Sequence, residues 1–453
     1  MSNDELPNGW TEIGFSELNS FSSSTINPAD YPSEIFELYS VPIFPTRKPE
    51  ILKGADIGST KQAVAADDVL ICKINPRINR VWKVMPKTTR RQIASSEWIA
   101  MRAPGTNPDY LRAYFSSHEF REILCEDLTG VGGSLTRAQP KRVAKFKIPL
   151  APLAEQKRIA DKLEAVLARV DSCRARLDRV PALLKRFRQS VLAAATSGKL
   201  TAEWRKTNGI NDEWENTDLL SICSSISDGD HLPPPQTTTG IPFLTIGNIS
   251  SGRLNFTNAR YVPESYFENI RATRVPKPGD TLYSVVGASI GIPVMVEVDR
   301  KFCFQRHIAI LKPSEGTSPG FLHLLMSSPE VFREAWSRTT GTAQPTLPLG
   351  TLRSIPVSVP TLPEQKEIVR RVEDLFAFAD RIEARLATAQ KTVERLTPAT
   401  LAKAFRGELV PQAPNDEPAS VLLKRVQTDQ AALPPRNSPM KKLRKTRVPR
   451  FEP

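Results

Sequence analysis

The sequence predicts an α+β protein with an internal pseudo-two-fold repeat, in which two globular mixed α/β domains are separated by two long helices that pack as an antiparallel coiled coil. Three observations lead to this fold class. A helical segment occurs twice at a constant spacing, its apolar residues follow a 3.5-residue period, and the remaining segments have the strand-and-turn composition of globular domains. The chain of 453 residues is long enough for two such domains.

The repeat extends through both halves of the chain. "LAEQKRIADKLEAVLARV" at 153–170 matches "LPEQKEIVRRVEDLFAFA" at 362–379, and the offset of 209 continues without a gap to Leu200 and Leu409. A fainter match lies upstream, where "DDVLICKINPRI" at 67–78 aligns with "GDTLYSVVGASI" at 279–290 at an offset of 212. So long a period indicates domain duplication rather than a solenoid. Because the helices match closely and the globular parts do not, we infer that the helices share one task and the globular parts have different ones.

Residues 1–150 and 213–359 form the two predicted globular domains. Short apolar runs such as "DVLICKI", "RVAKFKIPL" and "IPFLTIGNI", interrupted by Pro, Gly and Asn, predict strands and turns. A single helix is predicted in each domain, near 108–125 and near 319–336. The other segments are a helical region at 151–200, a linker at 201–212, a helical region at 360–411, and a flexible basic tail at 412–453 that contains "MKKLRKTRVPR".

Each helical region carries apolar residues in alternating steps of four and three. This spacing is typical of a coiled-coil seam rather than of an ordinary amphipathic face. Packing against other helices of a common core is the alternative. The predicted seam residues are Ile159, Leu163, Val166, Val170, Leu177, Ile368, Val372, Leu375, Ile382 and Leu386.

Proline is expected to interrupt both helical regions. Pro181 and Pro398 each lack the N–H that an interior helical position donates, so a kink or a restart is predicted at both. We expect a shorter terminal helix after each interruption, with the proline in its first turn.

The charge of the chain favours a polyanionic partner. Lys and Arg outnumber Asp and Glu by 62 to 49, which gives a net charge of +13 and a pI near 9.5. Nucleic acid is the first candidate, and a merely basic protein without such a partner is the alternative.

The cysteines and the hydropathy of the chain favour the cytoplasm. The five cysteines are scattered without metal-ligand spacing, which argues against a structural zinc site and a disulfide framework. No apolar run approaches the ~18 residues that a membrane span requires, and the N-terminus is polar. We therefore expect a cytoplasmic protein with no membrane partner.

The predicted loops carry side chains suited to DNA. Arg, Asn, Gln and Lys contact base edges, and the positive ones also neutralise phosphate, although each residue taken alone is more often a solvated surface group. The candidate DNA-binding residues are Lys73, Asn75, Arg77, Asn79, Arg80, Arg90, Arg91, His231, Gln236, Asn248, Arg260, Arg274, Gln305 and Arg306.

Catalytic motifs are missing from the sequence. "GADIGSTK" at 54–61 lacks the spacing of a phosphate-binding loop, and "SDGDHLPP" at 227–234 is explained better as a turn than as a metal site. We therefore assign no catalytic and no metal-binding residue.

The helical openings resemble a known family. "PLAEQKRIADKLEAVLARVDS" and "PEQKEIVRRVEDLFAFADRIE", followed by "SGKLTAEWR" and "LAKAFRGEL", resemble the repeated helical regions of the specificity subunit of type I restriction–modification systems. "DGDHLPP", "GIPFLTIGNI" and "GDTLYSVVGASIG" resemble a target-recognition domain of that family, and "DDVLICKINPRINRVWKV" resembles a second variety. The resemblance is weaker over residues 1–66.

The resemblance implies a non-catalytic DNA-recognition subunit. Each target-recognition domain would read one half of a bipartite, asymmetric site in double-stranded DNA, and the helices would space the halves. Two methyltransferase subunits would dock on the helices, and motor-nuclease subunits would join them. S-adenosylmethionine, ATP and Mg²⁺ are expected on those partners and no cofactor on this chain.

Two other functional classes remain possible from the residues alone. One is a coiled-coil scaffold whose basic charge is incidental, and the other is a nuclease or methyltransferase in its own right. For the specificity subunit, an unbroken helix over 155–180 would be about 39 Å long. Antiparallel packing of two such helices would hold the two domains roughly one DNA turn apart, ~34–36 Å.

Overall fold

A computed structural model describes residues 6–126, 136–210, 213–229, 234–341 and 343–431. The chain forms two compact units: unit 1 comprises Met1–Ala175 and Gln390–Pro453, and unit 2 comprises Arg176–Ala389. Both borders between the units fall inside the predicted helical regions. Each unit therefore contains one globular domain together with parts of both helical regions, which differs from a division into separate domains and spacers.

The strands form several small sheets. In unit 1 the sheet orders are β1-β10, β2-β5-β8-β3-β4 and β7-β6-β9, and in unit 2 they are β11-β19, β12-β18-β15-β16 and β14-β13-β17. The strands are β1 (Thr11–Gly14), β2 (Thr25–Ile26), β3 (Ile35–Tyr39), β4 (Glu50–Lys53), β5 (Lys61–Ala63), β6 (Val69–Cys72), β7 (Val81–Lys83), β8 (Arg91–Ala94), β9 (Trp98–Met101), β10 (Lys147–Leu150), β11 (Glu215–Asp218), β12 (Cys223–Asp228), β13 (Ile241–Leu244), β14 (Arg260–Val262), β15 (Thr281–Ser284), β16 (Pro293–Met295), β17 (Cys303–Phe304), β18 (Ile308–Pro313) and β19 (Pro356–Val359).

The helices include the two long elements that the periodicity predicts. They are α1 (Phe15–Leu18), α2 (Pro108–Phe115), α3 (His118–Cys125), α4 (Pro140–Val143), α5 (Leu153–Leu177), α6 (Val180–Thr196), α7 (Ala202–Thr207), α8 (Glu264–Glu268), α9 (Pro319–Met326), α10 (Pro329–Ser337), α11 (Leu349–Arg353), α12 (Leu362–Phe405) and α13 (Ala419–Ala431). The mixed sheets and long helices confirm the predicted α+β class.

The two domains have similar central strands and differ in the surrounding elements. In unit 1, β6 pairs antiparallel with β7 and β9, and in unit 2, β15 pairs antiparallel with β16 and β18. The first strand of each domain also pairs antiparallel with the strand that leads into the long helix, β1 with β10 and β11 with β19. Among the described residues, the sheets of unit 2 have two, three and four strands, whereas unit 1 also has a five-stranded sheet. The duplication inferred from the sequence therefore consists of strand pairs common to both domains, together with sheets that differ between them.

The predictions of single helices near 108–125 and 319–336 are wrong, because each segment is a pair of helices. The first pair breaks at Ser116 and Ser117, and the second breaks at Ser327 and Ser328. The side chains of Ser117 and Ser328 accept hydrogen bonds from the backbone N–H groups of the third residue beyond, at 3.1 and 3.2 Å. A serine in this position caps a new helix, since it satisfies an N–H that the first turn leaves without a partner.

The two prolines in the helical regions behave differently. Helix α5 ends at Leu177 and α6 begins at Val180 with Pro181 in its first turn, as predicted. The restart predicted as one outcome at Pro398 does not occur, because α12 continues through this residue to Phe405. The missing N–H leaves the carbonyl of Glu394 without its helical donor. Both Pro398 and Glu394 are exposed, so water can satisfy that carbonyl.

The tail predicted as flexible at 412–453 is ordered in its first part. Helix α13 buries Ala419, Leu422 and Val426 in the same core cluster as the first domain. The side chains of Leu422 and Val426 pack over Gly105, where a Cβ atom would lie 3.6 Å from each. These three apolar residues recur at helical spacing, which gives the segment one face to bury. The basic stretch at 440–450 lies outside the described residues.

Candidate nucleic-acid interface

In unit 1, the opening of the first repeat packs with the end of the second. Ile159 and Leu163 of α5 belong to the same buried cluster as Leu401 and Ala404 of α12. The cluster also contains the core of the first domain, so these helical residues are continuous with it. The end of α12 therefore belongs to the first domain in space and to the second repeat in sequence.

Unit 2 contains the reciprocal cluster. Ile368 and Val372 of α12 are buried with Val191 and Ala195 of α6. The offset of 209 relates Ile159 to Ile368 and Ala195 to Ala404, so both clusters use the same pair of positions with the repeats exchanged. Each unit therefore combines the opening of one repeat with the end of the other.

The helices in unit 2 run antiparallel. The guanidinium of Arg188 in α6 lies 2.8 Å from carboxylates of Asp380 and Glu383, whereas residues later in α6 cluster with residues earlier in α12. Because residues later in α6 cluster with residues earlier in α12, the two segments run in opposite directions.

The predicted seam residues near the start of each long helix cluster with a terminal helical segment. Ile159 and Leu163 are buried with the end of α12, and Ile368 and Val372 are buried with α6. Ile159, Leu163, Val170, Ile368, Val372 and Leu386 are buried, and Val166, Leu177, Leu375 and Ile382 are half-buried.

A buried polar box fixes the start of each long helix. The indole N–H of Trp10 donates to Glu155 at 3.1 Å, and that of Trp214 donates to Glu364 at 3.2 Å. Both carboxylates are about 1% exposed. The matching Glu and Trp positions show that the repeated helix opening is a structural device that orients α5 and α12 against their domains.

The glutamine that follows each glutamate continues this box. Gln156 accepts from the backbone N–H of Asn107 at 2.9 Å, and Gln365 accepts from that of Ser318 at 2.7 Å. Asn107 and Ser318 are the N-cap residues of α2 and α9. Each glutamine thus ties a long helix to the first helix of the neighbouring helix pair.

The two boxes differ in charge compensation. Glu364 also accepts from the hydroxyl of Thr201 at 2.6 Å and from the guanidinium of Arg205. Among the described residues, no cation forms a hydrogen bond with Glu155, although the charge of Arg158 acts on it, and its Oε1 atom is buried without a hydrogen-bond partner. Burial raises the pKa of the Glu155 carboxyl, while the hydrogen bond from Trp10 acts in the opposite direction.

Each unit has an open groove at the same place in its repeat. The groove of unit 1 has a volume of about 560 Å³, and that of unit 2 has a volume of about 950 Å³. Helical lining residues correspond at the offset of 209, and they are Leu163 and Val372, Leu167 and Phe376, Ala168 and Ala377, Asp171 and Asp380, and Leu401 and Leu192. We name these surfaces groove 1 and groove 2.

The domain side of the grooves differs in charge. Arg112 of α2 lines groove 1, and His323 of α9 occupies the matching position in groove 2. Burial lowers the pKa of His323, so its imidazole is neutral at pH 7. The grooves therefore have equivalent helical walls, which combine apolar and acidic residues, and differ in their domain walls.

Five candidate DNA-binding residues of the first domain lie together in the connection between β6 and β7. Of these, Arg77 is exposed, and Lys73, Asn75, Asn79 and Arg80 are half-buried. Arg80 donates to the carbonyl of Ile74 at 3.3 Å, so it also supports the connection internally. Arg77 remains the most accessible cation of this set.

Arg90 and Arg91 lie elsewhere, at the start of β8 in the five-stranded sheet. Arg91 binds both carboxylate oxygens of Glu34 and lies over the ring of Tyr31. Arg90 lies 3.8 Å from the carboxylate of Glu37. Part of the charge of these two arginines is therefore compensated within the domain.

In the second domain, Arg274, Gln305 and Arg306 lie around the end of β12. Arg274 lies 3.5 Å from Asp228, and Gly229 approaches the backbone of Gln305 so closely that a Cβ atom would clash. Arg306 is exposed, and the neighbouring His307 has a pKa lowered by burial and by Arg306. His307 is therefore neutral at pH 7 and adds no charge to this group.

The other candidates of the second domain are dispersed. Gln236 and Arg260 are exposed, and His231 lies outside the described residues. The prediction for Asn248 is wrong, because its side chain is buried. It accepts from Thr245 at 2.9 Å and donates to the carbonyl of Asn255 at 2.8 Å, so it stabilises a loop.

Trp10, Asn107 and Arg205 were missed as partners of the helix openings. Trp10 and Trp214 both precede a first strand, and this shared placement was the available signal. Nothing in the sequence indicated that Arg205 would bind one glutamate and that the other would have no hydrogen-bonded arginine among the described residues.

The described residues contain no group of three or more His, Cys, Asp and Glu side chains that could hold a metal ion. Among the helices that the structure describes, none combines the length and the apolar character required to cross a membrane.

Comparisons with known proteins agree on one family. The profile of a family described as "Type I restriction modification DNA specificity domain" matches residues 211–390. The EcoBI specificity subunit of Escherichia coli is 37% identical over 63% of this chain and 65% of its own length. The StySPI specificity subunit of Salmonella potsdam is 33% identical over 72% of each chain.

A solved structure shows the same fold. The crystal structure of the HsdS subunit from Thermoanaerobacter tengcongensis matches with a TM-score of 0.65 at 22% identity and covers 90% of this chain and 99% of its own. Together with the curated relatives, it accounts for both halves of the chain.

Proposed function

This chain belongs to the specificity subunits of type I restriction enzymes, and from that premise we propose that it recognises DNA on behalf of a larger complex. The observation that carries the proposal is the combination of two matched helical frames with two unlike domains. A duplicated frame suits identical partners, and unlike domains suit unlike DNA sequences. Specificity subunits are non-catalytic, so the chain selects the site and other subunits carry out the chemistry.

Each domain would read one half of a bipartite, asymmetric site in double-stranded DNA. The net charge of +13 supports binding to a polyanion. The exposed side chains of Arg77, Arg260 and Arg306 supply both positive charge and base-edge donors. The divergence between the sheets of the two domains supports different half-sites.

Two copies of a methyltransferase subunit would dock on the two grooves. The helical walls of groove 1 and groove 2 are related residue by residue, so a segment that fits one also fits the other. S-adenosylmethionine would be held by the methyltransferase subunits, and ATP with Mg²⁺ by motor-nuclease subunits.

The DNA proposal is tested with the complete complex. Coexpression with its methyltransferase subunit in a methylation-deficient host should produce methylation at one bipartite motif, detected by methylome sequencing. The chain alone with S-adenosylmethionine should methylate nothing, and methylation under those conditions would refute the non-catalytic role. Binding should weaken steeply with increasing salt, since phosphate contacts release counterions. A coiled-coil scaffold with incidental charge would show little DNA binding at any salt concentration.

The docking proposal is tested by blocking one groove at a time. Ala168 and Ala377 are exposed and equivalent, so Ala168→Arg or Ala377→Arg should reduce bound methyltransferase subunits from two to one, and the double variant should bind none. Mass photometry of the reconstituted complex measures this stoichiometry. Ala165→Arg changes an exposed residue of α5 that does not line groove 1, and it should leave two subunits bound. Two bound subunits in the double variant would refute docking in the grooves.

A further inference from the structure

The connection between β6 and β7 and that between β15 and β16 each contain a turn closed by an equivalent backbone hydrogen bond. In the first, the N–H of Ile78 donates to the carbonyl of Asn75 at 3.0 Å. In the second, the N–H of Ile290 donates to the carbonyl of Gly287 at 3.2 Å. The offset of 212 relates both partners. We name residues 75–79 turn 1 and residues 287–291 turn 2.

A second chain segment anchors both turns in the same way. The N–H of Asn75 donates to the carbonyl of Thr136 at 2.9 Å, and the N–H of Gly287 donates to that of Pro345 at 2.8 Å. Isolated β-bridges continue this contact, from Ile74 to Arg137 and from Val286 to Thr346. Each turn is therefore held from two sides and presents a defined backbone.

Left-handed residues delimit both turns. The φ angles of Asn75 and Asn79 are 46° and 48°, and those of Gly287 and Gly291 are 77° and 93°. Few residues other than Gly and Asn tolerate this region. The two turns thus have left-handed residues at the same two positions with different sequences, "NPRIN" and "GASIG". Equivalent turns with different side chains are what paired reading elements for unlike half-sites require.

The side chains that the turns present are different. Turn 1 exposes Arg77 and Ile78, and Ile78 is 58% exposed. Among the described residues, no carboxylate forms an ion pair with Arg77, in contrast to Arg91 and Glu34. At the position of Arg77, turn 2 has Ser289, whose hydroxyl donates to the carbonyl of Val286 at 3.4 Å.

We propose that turns 1 and 2 are equivalent base-reading elements of the two domains and that Arg77 selects a guanine in the half-site of the first domain. The proposal rests on the proposed function and assigns a base contact within it. An arginine donates two hydrogen bonds to O6 and N7 of guanine in the major groove, the commonest specific contact between a side chain and a base. The anchored backbone of turn 1 fixes the position from which this side chain extends. Ser289 is too short to make the same contact in turn 2.

The test compares methylation motifs of the complete complex. Arg77→Ala should relax one guanine position in one half-site, with its preference reduced about ten-fold or more, and leave the other half-site unchanged. Lys53→Ala removes an exposed positive charge from β4 in a different sheet and should leave the motif unchanged. Ser289→Arg places the same side chain in turn 2 and should create a new base preference in the second half-site.

The outcomes separate this inference from the proposed function. If the wild-type complex methylates no bipartite motif, the proposed function fails. If the wild-type motif is present and Arg77→Ala leaves it unchanged, or lowers methylation equally at every sequence, Arg77 does not read a base. If Ser289→Arg leaves the second half-site unchanged, the equivalence of the turns is refuted. As a control, the thermal midpoint of each variant should equal that of the wild type, which would show that the exposed substitutions leave the fold intact.

Discussion

Matched substitutions in the two buried boxes should have opposite effects. Glu364 accepts hydrogen bonds from Trp214, Thr201 and Arg205, whereas Glu155 accepts one from Trp10 and keeps a buried oxygen without a partner. Replacing each glutamate by glutamine keeps its shape and removes its charge.

The expected magnitudes follow from these partners. A hydrogen bond to a charged group contributes about 1.5–3 kcal/mol, so Glu364→Gln should lower the stability of unit 2 by about 2 kcal/mol at pH 7. Burial disfavours the ionised form of Glu155, so Glu155→Gln, which removes the charge, should raise the stability of unit 1 by about 1 kcal/mol at pH 7.

The effect at Glu155 should depend on pH. Because its pKa is raised in the folded chain, the folded state holds a proton more tightly than the unfolded state does. Its contribution is therefore fully present below the ordinary pKa of 4.5 and is lost as the pH rises through the raised value. Glu155→Gln removes the titrating carboxyl, so the stability of unit 1 should no longer decrease with pH on account of this residue.

Hydrogen exchange resolves the two units within one chain. Opening free energies of peptides covering 153–163 and 362–372 should be measured between pH 5 and 8, with Glu164→Gln and Glu373→Gln as exposed, equivalent controls. If Glu155→Gln lowers stability as much as Glu364→Gln does at pH 7, the hydrogen bond from Arg205 is not what distinguishes the two glutamates.

Three further substitutions test the fold. Ser328→Ala removes the cap of α10 and should lower stability by about 1 kcal/mol, measured as a lower urea midpoint, and an unchanged midpoint would show that the cap is unnecessary. Leu422→Ala should cost about 2–5 kcal/mol and increase hydrogen exchange in the first domain, whereas a mobile tail would show no change. Pro398→Ala restores the donor for the carbonyl of Glu394 and should raise the thermal midpoint, and a lower midpoint would contradict the helix geometry.

Local patterns predicted the elements whose stability is local. The helix restart at Pro181 follows from a missing N–H, and the long helices follow from a sustained period of apolar residues. The continuation of α12 through Pro398 could not be predicted in this way. It depends on whether the unpaired carbonyl reaches water, and this is a property of the folded surface.

Individual site residues were less predictable than their location. The connection between β6 and β7 was identified from its composition, and it does carry an exposed Arg77. Asn248 has an equally suitable side chain, yet burial and four hydrogen-bonding contacts within its own loop remove it from the surface. Residue type gives the chemistry that a side chain can perform, and only packing decides whether it is accessible.

The sequence by itself determined that the chain is duplicated, that the helices are shared and that the domains differ, because related sequences form related local structure. The tertiary structure decided that the opening of each repeat packs with the end of the other, so that Ile159 lies in one buried cluster with Ala404 and Ile368 lies in another with Ala195. It also decided that one of two equivalent glutamates acquired an arginine. These contacts join positions far apart in the chain, and their free energy depends on burial and distance, which no local period encodes.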